Sequence, residues 1–291
     1  MPEKVTIYEV GPRDGLQNEA RIVPLADKIA LIDLLTASGL PAVEVGSFVS
    51  PKWVPQMAES GAVIAGLSYD HAARLSVLVP NMKGWDAFWS VRSTMPRGPD
   101  EVAVFISASE GFSRANLNCT IAESIDRLRP VVVAVQGAGL ALRGYISCVT
   151  DCPFDGPTPP AAVARAAELL RALAPMPLSL GDTIGQGTPD TVAAMLRAVR
   201  DVVPVADLAG HFHDTGGQAL DNVAVALDMG LRTFDGAVGG LGGCPHAPGA
   251  PGNLATGALI DLVEARGFQT GVDHRVIEKA SQMARAMRGT A

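Results

Sequence analysis

The feature that most constrains the fold is an alternation between short runs of β-branched residues and longer runs rich in alanine and leucine. Eight strand candidates lie at residues 5–10, 42–48, 74–79, 101–107, 142–149, 176–182, 207–213 and 233–238. The segments between them carry apolar residues three or four positions apart, which is typical of helices. Strict alternation predicts parallel strands joined by right-handed crossovers. We therefore expect an α/β fold, a single-domain (β/α)8 TIM barrel over residues 1–291, with a short helical extension from about residue 270.

An open, doubly wound sheet is the alternative that shows the same alternation. It is disfavoured because no G-x-G-x-x-G sequence follows the first strand. Within the barrel, helices are expected to begin near Leu25, near Gln56 and at Pro189. At the last of these, Thr188 supplies a capping hydroxyl before a proline at the first helical position.

Charge and composition exclude several classes of protein. The 23 Lys and Arg residues against 30 Asp and Glu residues give a net charge of −7, which argues against nucleic acid as the main partner. No apolar stretch is long enough for a membrane span, and the start does not resemble a targeting peptide. Four cysteines do not form a disulfide framework, so reduced thiols and a cytoplasmic location are expected. We assign no chemistry to Cys119, Cys148 or Cys152.

The polar residues that follow the strands are the candidate site, because a barrel brings the carboxyl ends of its strands together at one mouth. The first, second, sixth and seventh strands contribute such residues, and a glycine-rich stretch at residues 239–253 follows the eighth. The candidates are Arg13, Asp14, Glu44, Asp182, His211, His213, Cys244 and Asn253.

The sequence His211-Phe-His213 predicts a metal site. Residues i and i+2 of a strand face the same side, so both imidazoles can bind one ion. Asp14 and the side-chain oxygen of Asn253 would complete two nitrogen and two oxygen ligands, a set that suits Mg²⁺ or Mn²⁺ better than zinc. The alternative is that one histidine packs in the core and the other lies in a loop.

Arg13 and Asp14 could form an ordinary surface ion pair, but the glycines and proline around them indicate a constrained turn. Glu44 lies in an otherwise apolar run and needs a partner, for which Arg13 on the adjacent strand is the natural candidate. Asp182 could be catalytic or could cap a helix. Cys244 could be an acid or base of low pKa, or simply a small buried residue.

Five stretches strongly resemble the 3-hydroxy-3-methylglutaryl-CoA lyase family, and the resemblance runs from Val5 to about Val272. They are EVGPRDGLQNE (9–19), SFVSPKWVPQM (47–57), SLGDTIGQGTPD (179–190), HFHDTGGQALDN (211–222) and GLGGCPHAPGAPGNLAT (240–256). The resemblance implies cleavage of a hydroxyacyl-CoA into acetyl-CoA and acetoacetate, with Mg²⁺ or Mn²⁺ as cofactor. It also implies a small acyl-CoA as substrate and a homodimer or higher homo-oligomer.

The resemblance implies roles for individual residues. It implies the metal ligands Asp14, His211, His213 and Asn253. It implies the catalytic residues Arg13, Glu44, Asp182, His211 and Cys244. It implies the substrate contacts Arg13, Gln17, Ser47 and Ser179.

Two departures from the family pattern lie close to these residues and bear on the acyl group of the substrate. Gly46 stands where threonine is frequent, and His246 replaces a commoner aromatic residue. A lyase for a longer branched 3-hydroxyglutaryl-CoA is therefore the nearest alternative. A metal-dependent enzyme that condenses an acyl-CoA with a 2-keto acid is another, and a non-catalytic metal-binding scaffold is a third.

Overall fold

The computed structural model describes residues 2–244 and 247–288, with only the backbone described between 243 and 251. Eight parallel strands form a closed barrel in which neighbours in sequence are neighbours in space. They are β1 Thr6–Glu9, β2 Ala42–Ser47, β3 Arg74–Leu78, β4 Glu101–Ser107, β5 Ala141–Ser147, β6 Leu178–Asp182, β7 Leu208–Phe212 and β8 Thr233–Gly236. Strands β1 and β8 pair along their whole length and close the barrel. The predicted barrel is confirmed, and the open sheet is wrong.

Helices separate the strands and surround the barrel. They are α1 Leu25–Thr36, α2 Ser60–Gly66, α3 Met82–Arg92, α4 Glu110–Leu117, α5 Ile121–Gly137, α6 Pro160–Arg171, α7 Pro189–Arg200, α8 Ala219–Asp228, α9 Thr256–Ala265 and α10 His274–Met287. Helix α1 begins at the expected residue, and Thr188 caps α7 as predicted. The segment expected near Gln56 begins as a 3₁₀ turn, Pro55–Met57, before α2. Over the described residues, none of the helices has the length and apolar character needed to span a bilayer.

The main apolar core lies between the barrel and the helices. In β4, for example, Val102, Val104 and Ile106 are fully buried in this layer. Successive strand residues point to opposite faces, so the residues between them face the barrel interior. There the apolar cluster is small and consists of Leu78, Ala103 and Tyr145 with their neighbours.

Among the described residues, much of the barrel interior is polar. The Arg143 guanidinium donates to Asp235 at 2.5 Å and lies 3.8 Å from the centre of the Tyr8 ring. The Tyr8 hydroxyl is in turn 2.5 Å from a Glu101 carboxylate oxygen and 2.6 Å from the Ser76 hydroxyl. Charges buried in this way are tolerated only when they are paired and hydrogen-bonded. We call this paired network of Arg143, Asp235, Tyr8, Glu101 and Ser76 the floor of the barrel, because it lies beneath the mouth.

Strand β5 ends two residues earlier than predicted, at Ser147 instead of Val149. Cys148 adopts a left-handed conformation with φ of 59°, which no extended strand accommodates. Its amide donates to the Thr183 hydroxyl at 2.8 Å. Burial raises the pKa of the Cys148 thiol to about 12, with a further contribution from nearby Cys152. Burial therefore favours the protonated form of this thiol.

Candidate active site

The first element of the site is a tight turn, Gly11–Gly15, that directly follows β1. Its backbone has a single turn of π-helical geometry, and it carries Arg13 and Asp14. A Cβ atom at Gly15 would lie 2.6 Å from the side chain of Leu241, so a larger residue does not fit there. The glycines expected to constrain this segment do so, and the adjacent charges are placed at the mouth of the barrel.

Glu9, at the end of β1, holds this turn against the segment that follows β8. Its buried carboxylate accepts hydrogen bonds from the amides of Gly11 (2.7 Å) and Val238 (2.9 Å) and from the Thr256 hydroxyl (2.6 Å). Desolvation nevertheless dominates and raises the pKa of Glu9 to about 7. The sequence analysis missed Glu9, although an acidic residue in an apolar run is the signal that singled out Glu44.

We expect Glu9→Gln to flatten the pH dependence of stability. The pKa of Glu9 rises from 4.5 to about 7 on folding, so its contribution is fully present below 4.5 and is lost as the pH rises through 7. A shift of this size corresponds to about 3 kcal/mol. A glutamine can keep the two amide bonds and donate to Thr256. Urea unfolding from pH 4 to 8 should therefore show a smaller decline for the variant, and parallel curves would contradict this role.

The second element is a cluster of three side chains, Asp14, His211 and His213, which could hold a metal ion. The two Nε2 atoms are 3.2 Å apart, and the Asp14 Oδ2 atom lies 3.8 Å and 4.0 Å from them. Each side chain is only 10 to 15 % exposed. Nitrogen and oxygen atoms that converge in this way fit a divalent cation, and the predicted convergence of both imidazoles on one point is found.

Asn253 lies beside this cluster, as the sequence predicted. Its backbone pairs with that of His213, and its side-chain Nδ2 donates to Asp14 Oδ2 at 2.9 Å. The same Nδ2 is 3.4 Å from the Leu241 carbonyl. A metal ligand would have to be the amide oxygen, which requires the opposite orientation of this amide. The role of Asn253 as a ligand therefore stays a prediction.

The electrostatics of the cluster favour unprotonated ligands at Asp14 and His213. Burial would raise the pKa of Asp14, but Arg13 and the two imidazoles outweigh it and lower the pKa well below its usual range. Burial and the neighbouring His211 lower the pKa of His213 to about 4. Burial also acts to lower the pKa of His211, but the Asp235 and Asp14 carboxylates outweigh it and raise the pKa. The two Nε2 atoms face each other at 3.2 Å and cannot both carry a hydrogen, whereas the lone pairs of both can bind one cation.

Arg13 connects the cluster to the barrel floor. Its Nε donates to Glu44 Oε2 at 2.5 Å, and one terminal nitrogen donates to Asp14 Oδ1 at 2.6 Å. The predicted pairing of Arg13 with Glu44 is confirmed. The Tyr145 hydroxyl donates to the same Glu44 oxygen at 3.3 Å, and the other oxygen, Oε1, has no hydrogen bond within the described part of the chain. Burial outweighs Arg13 and raises the pKa of Glu44.

Besides Arg13, the three residues predicted to contact substrate have different surroundings. Gln17 donates to Asp14 Oδ1 at 2.8 Å and so borders it directly. The Ser47 hydroxyl is buried at the end of β2, without a hydrogen bond to any described residue. The Ser179 hydroxyl donates to Asp235 Oδ2 at 2.7 Å, beneath His211. Gln17 and Ser47 therefore have polar atoms available to bind a ligand, whereas the Ser179 hydroxyl is already hydrogen-bonded to Asp235.

Asp182 is fully buried at the end of β6, where it braces the following loop. It accepts hydrogen bonds from the Thr150 hydroxyl (2.8 Å) and from the amides of Gln186 (3.3 Å) and Gly187 (2.9 Å). Burial raises the pKa of Asp182 despite these donors. Asp182 does not cap α7, because Thr188 is the N-cap residue of that helix. Its catalytic role stays a prediction.

The glycine-rich segment forms a two-stranded hairpin, Gly243–Cys244 with Ala247–Pro251. The side chain of Cys244 and the whole of His246 lie outside the described residues, so the expectations placed on them stay predictions.

Three further residues that the sequence analysis missed support the cluster from below. They are Arg143, Tyr145 and Asp235, all buried. Each is a polar residue inside a strand, where alternation with apolar neighbours could have indicated a position facing the barrel interior.

Comparison with known proteins assigns the chain to a family. The family model described as HMGL-like matches residues 4–284. The hydroxymethylglutaryl-CoA lyase of Pseudomonas mevalonii is 47 % identical over 99 % of this chain and 94 % of its own length. The 3-hydroxy-3-isohexenylglutaryl-CoA/hydroxymethylglutaryl-CoA lyase of Pseudomonas aeruginosa is also 47 % identical, with the same coverage. The crystal structure of the HMG-CoA lyase from Brucella melitensis superposes with a TM-score of 0.95 at 57 % identity, covering 98 % of this chain and 99 % of that one. The chain therefore belongs to the HMGL-like family.

Proposed function

We propose that this protein is a divalent-metal-dependent carbon–carbon lyase that cleaves 3-hydroxy-3-methylglutaryl-CoA into acetyl-CoA and acetoacetate. The observation that carries the proposal is the position of a buried Arg13–Glu44 ion pair directly beside the Asp14, His211 and His213 cluster. The names of the relatives, at 47 % identity over nearly the whole chain, support the same substrate class.

The reaction breaks the bond between C2 and C3 of the acyl group. The hydroxyl on C3 loses its proton, its oxygen becomes the ketone of acetoacetate, and the electron pair of the broken bond stays on C2. That carbon is then the enolate of a thioester, and one proton converts it into the methyl group of acetyl-CoA. Catalysis therefore requires a base near the hydroxyl, a cationic group near the thioester oxygen and a proton donor near C2.

Position suggests which residues would hold the cation and which would stabilise the enolate. Asp14, His211 and His213 would hold the cation, with Asn253 as a fourth ligand. When bound, Mg²⁺ or Mn²⁺ would lower the pKa of the substrate hydroxyl and hold it in place. Arg13 is fixed by two carboxylates, Glu44 and Asp14, and its remaining N–H groups can stabilise the negative charge on the thioester oxygen.

The proposed proton donor is Cys244, in the hairpin after β8, and Asp182 is proposed as an acidic group needed for turnover. Gln17 and Ser47 are proposed to contact the acyl group. The homo-oligomeric state and the cytoplasmic location remain our proposals.

The test is a coupled assay of acetoacetate formation on chelator-treated protein, before and after addition of Mg²⁺ or Mn²⁺. We expect no turnover after chelation and recovery with either ion. An analogue without the 3-hydroxyl group is the control, because it has no proton to lose and should not be cleaved. Absence of acetoacetate from metal-loaded, folded protein would exclude the proposed function.

A second candidate substrate is a 3-hydroxyglutaryl-CoA with a longer branch at C3. The relative from Pseudomonas aeruginosa carries both substrate names at the same identity as the relative from Pseudomonas mevalonii. Gly46 does not add to this candidate, because a Cβ atom there would lie 2.8 Å from the Ser60 hydroxyl oxygen and would therefore face α2. The test compares kcat/KM for 3-hydroxy-3-methylglutaryl-CoA and 3-hydroxy-3-isohexenylglutaryl-CoA. Similar values would indicate that both are substrates, and a far lower value for the isohexenyl compound would exclude it.

A further inference from the structure

Asp235 is a buried carboxylate in β8 to which the sequence assigned no role. It is 3 % exposed and accepts three hydrogen bonds. Oδ1 accepts from Arg143 at 2.5 Å, and Oδ2 accepts from the Ser179 hydroxyl at 2.7 Å and from His211 Nδ1 at 3.1 Å. These three partners lie on β5, β6 and β7, so one carboxylate ties together four consecutive strands.

We propose that Asp235 is a positioning residue, which fixes His211 as the Nδ1–H tautomer and so directs the free Nε2 lone pair towards Asp14 and His213. The inference rests on the proposed function, because it takes the Asp14, His211 and His213 cluster to be a cation site. A carboxylate that already accepts two other hydrogen bonds can only accept from His211, so its Nδ1 must carry the hydrogen. The neutral ring then has its lone pair on Nε2, the atom that faces the cluster.

The two imidazoles differ in this respect. The Nδ1 atom of His213 is buried and has no hydrogen-bond partner among the described residues. The orientation of His213 is instead constrained by its backbone, which pairs with that of Asn253. His211 is therefore the one of the two whose ring is held from behind by a carboxylate.

Arg143 fixes the place of the Asp235 carboxylate, because its guanidinium donates to Oδ1 at 2.5 Å and leaves Oδ2 for Ser179 and His211. The Arg143 guanidinium is itself held between aromatic rings, 3.8 Å from the centre of Tyr8 and 5.2 Å from that of Tyr145. The positively charged group therefore has a fixed place, and the acceptor oxygens of Asp235 have fixed directions.

Asp235→Asn tests the inference, because it places one NH₂ group where three donors converge. The amide oxygen is expected to remain with the charged Arg143, which leaves the NH₂ group facing Ser179 and His211. The ring must then accept at Nδ1 and carry its hydrogen on Nε2, the wrong atom for a ligand. We expect Mn²⁺ affinity, measured by calorimetry without substrate, to fall by about 10–100-fold.

The tautomer itself is measured by ¹⁵N NMR of metal-free protein at a pH of about 9, above the ordinary titration range of histidine. We expect the Nδ1–H form of His211 in the parent protein and the Nε2–H form in Asp235→Asn. The parent spectrum needs no variant, so it decides the matter even if the variant does not fold. An Nε2–H tautomer in the parent, or Mn²⁺ affinity unchanged in a folded variant, would overturn the inference.

Asp207→Asn is the matched control. Asp207 lies directly before the first residue of β7, at the end of the strand away from the cluster. It forms a 2.8 Å ion pair with Arg171. Its substitution should leave both the His211 tautomer and the Mn²⁺ affinity unchanged. Neither readout requires turnover. A parent protein that binds Mn²⁺ with the Nδ1–H tautomer but forms no acetoacetate would contradict the proposed function and support the inference.

Discussion

Arg13→Gln is expected to lower kcat for acetoacetate formation by about 10²–10³-fold, the cost of removing one fixed donor from a developing oxyanion. Glutamine is neutral and cannot stabilise the enolate charge as a guanidinium does. Mn²⁺ binding should change much less than kcat, because Asp14, His211 and His213 remain. Steady-state kinetics and calorimetry on the same preparation separate the two effects.

Two further variants make the Arg13 result specific. Arg13→Lys keeps the charge but loses the fork that reaches Glu44 and Asp14 together, so it should recover only part of the activity. Arg171→Gln breaks a partly exposed ion pair elsewhere on the barrel and should leave kcat unchanged. If Arg13→Gln keeps most of the parental kcat, the arginine is only a structural partner of Glu44.

Cys244→Ser is expected to lower kcat by about 10²–10⁴-fold, with Mn²⁺ affinity nearly unchanged and KM little altered. Serine keeps the size and a proton, but its hydroxyl has a far higher pKa than a thiol and transfers that proton poorly near neutral pH. A packing role for Cys244 predicts the reverse, a lower melting temperature with turnover largely kept. Both quantities are measured on the same sample.

Cys119→Ser is the matched control for this substitution. Cys119 is a buried thiol between α4 and α5, and within the described part of the chain no hydrogen bond or ion pair joins it to the proposed site. Its replacement should affect melting temperature and leave kcat unchanged. If Cys244→Ser retains more than about half of the parental kcat, the proton donor must be sought elsewhere, with Asp182 as the next candidate.

All eight barrel strands could be predicted because their outward faces are apolar and each is followed by a helical pattern. Some strand boundaries differ from the prediction, and the end of β5 shows what such a pattern omits. Residues 142–149 are all compatible with a strand, yet the strand stops at Ser147 because Cys148 has a positive φ. Cysteine carries no preference for that conformation, so only its tertiary surroundings determine it.

The sequence predicted the site residues at the mouth of the barrel but missed those that support them from the barrel interior. Arg13, Asp14 and His213 follow strands, and the barrel rule places such residues at the mouth. Arg143 and Asp235 lie within strands, and their partnership joins residues 92 positions apart. The argument applied to Glu44, that a charge in an apolar strand needs a partner, would have singled out both. It could not have paired them, because pairing depends on which strands face each other across the barrel.

Asp182 shows a different limit. Its position at the end of β6 is the same kind of evidence that singled out Asp14, but its hydrogen bonds go to Thr150 and to loop amides. Strand-end position therefore identifies which side chains reach the mouth and not which of them face the cation. Only the contacts distinguish a carboxylate that shapes a loop from one that binds a ligand.

The closure of the barrel by Glu9 and by the Asp14–Asn253 bond has a consequence for synthesis of the protein. These contacts join residues 229, 247 and 239 positions apart, so they form only after the last strand and the segment behind it have left the ribosome. Until then Asp14 lacks its bond to Asn253, and the turn that carries Asp14 is not yet held against the segment behind β8. The proposed cation binding is thus coupled to the docking of the segment behind β8, and Mn²⁺ uptake during refolding would report the moment at which this segment meets the turn after β1.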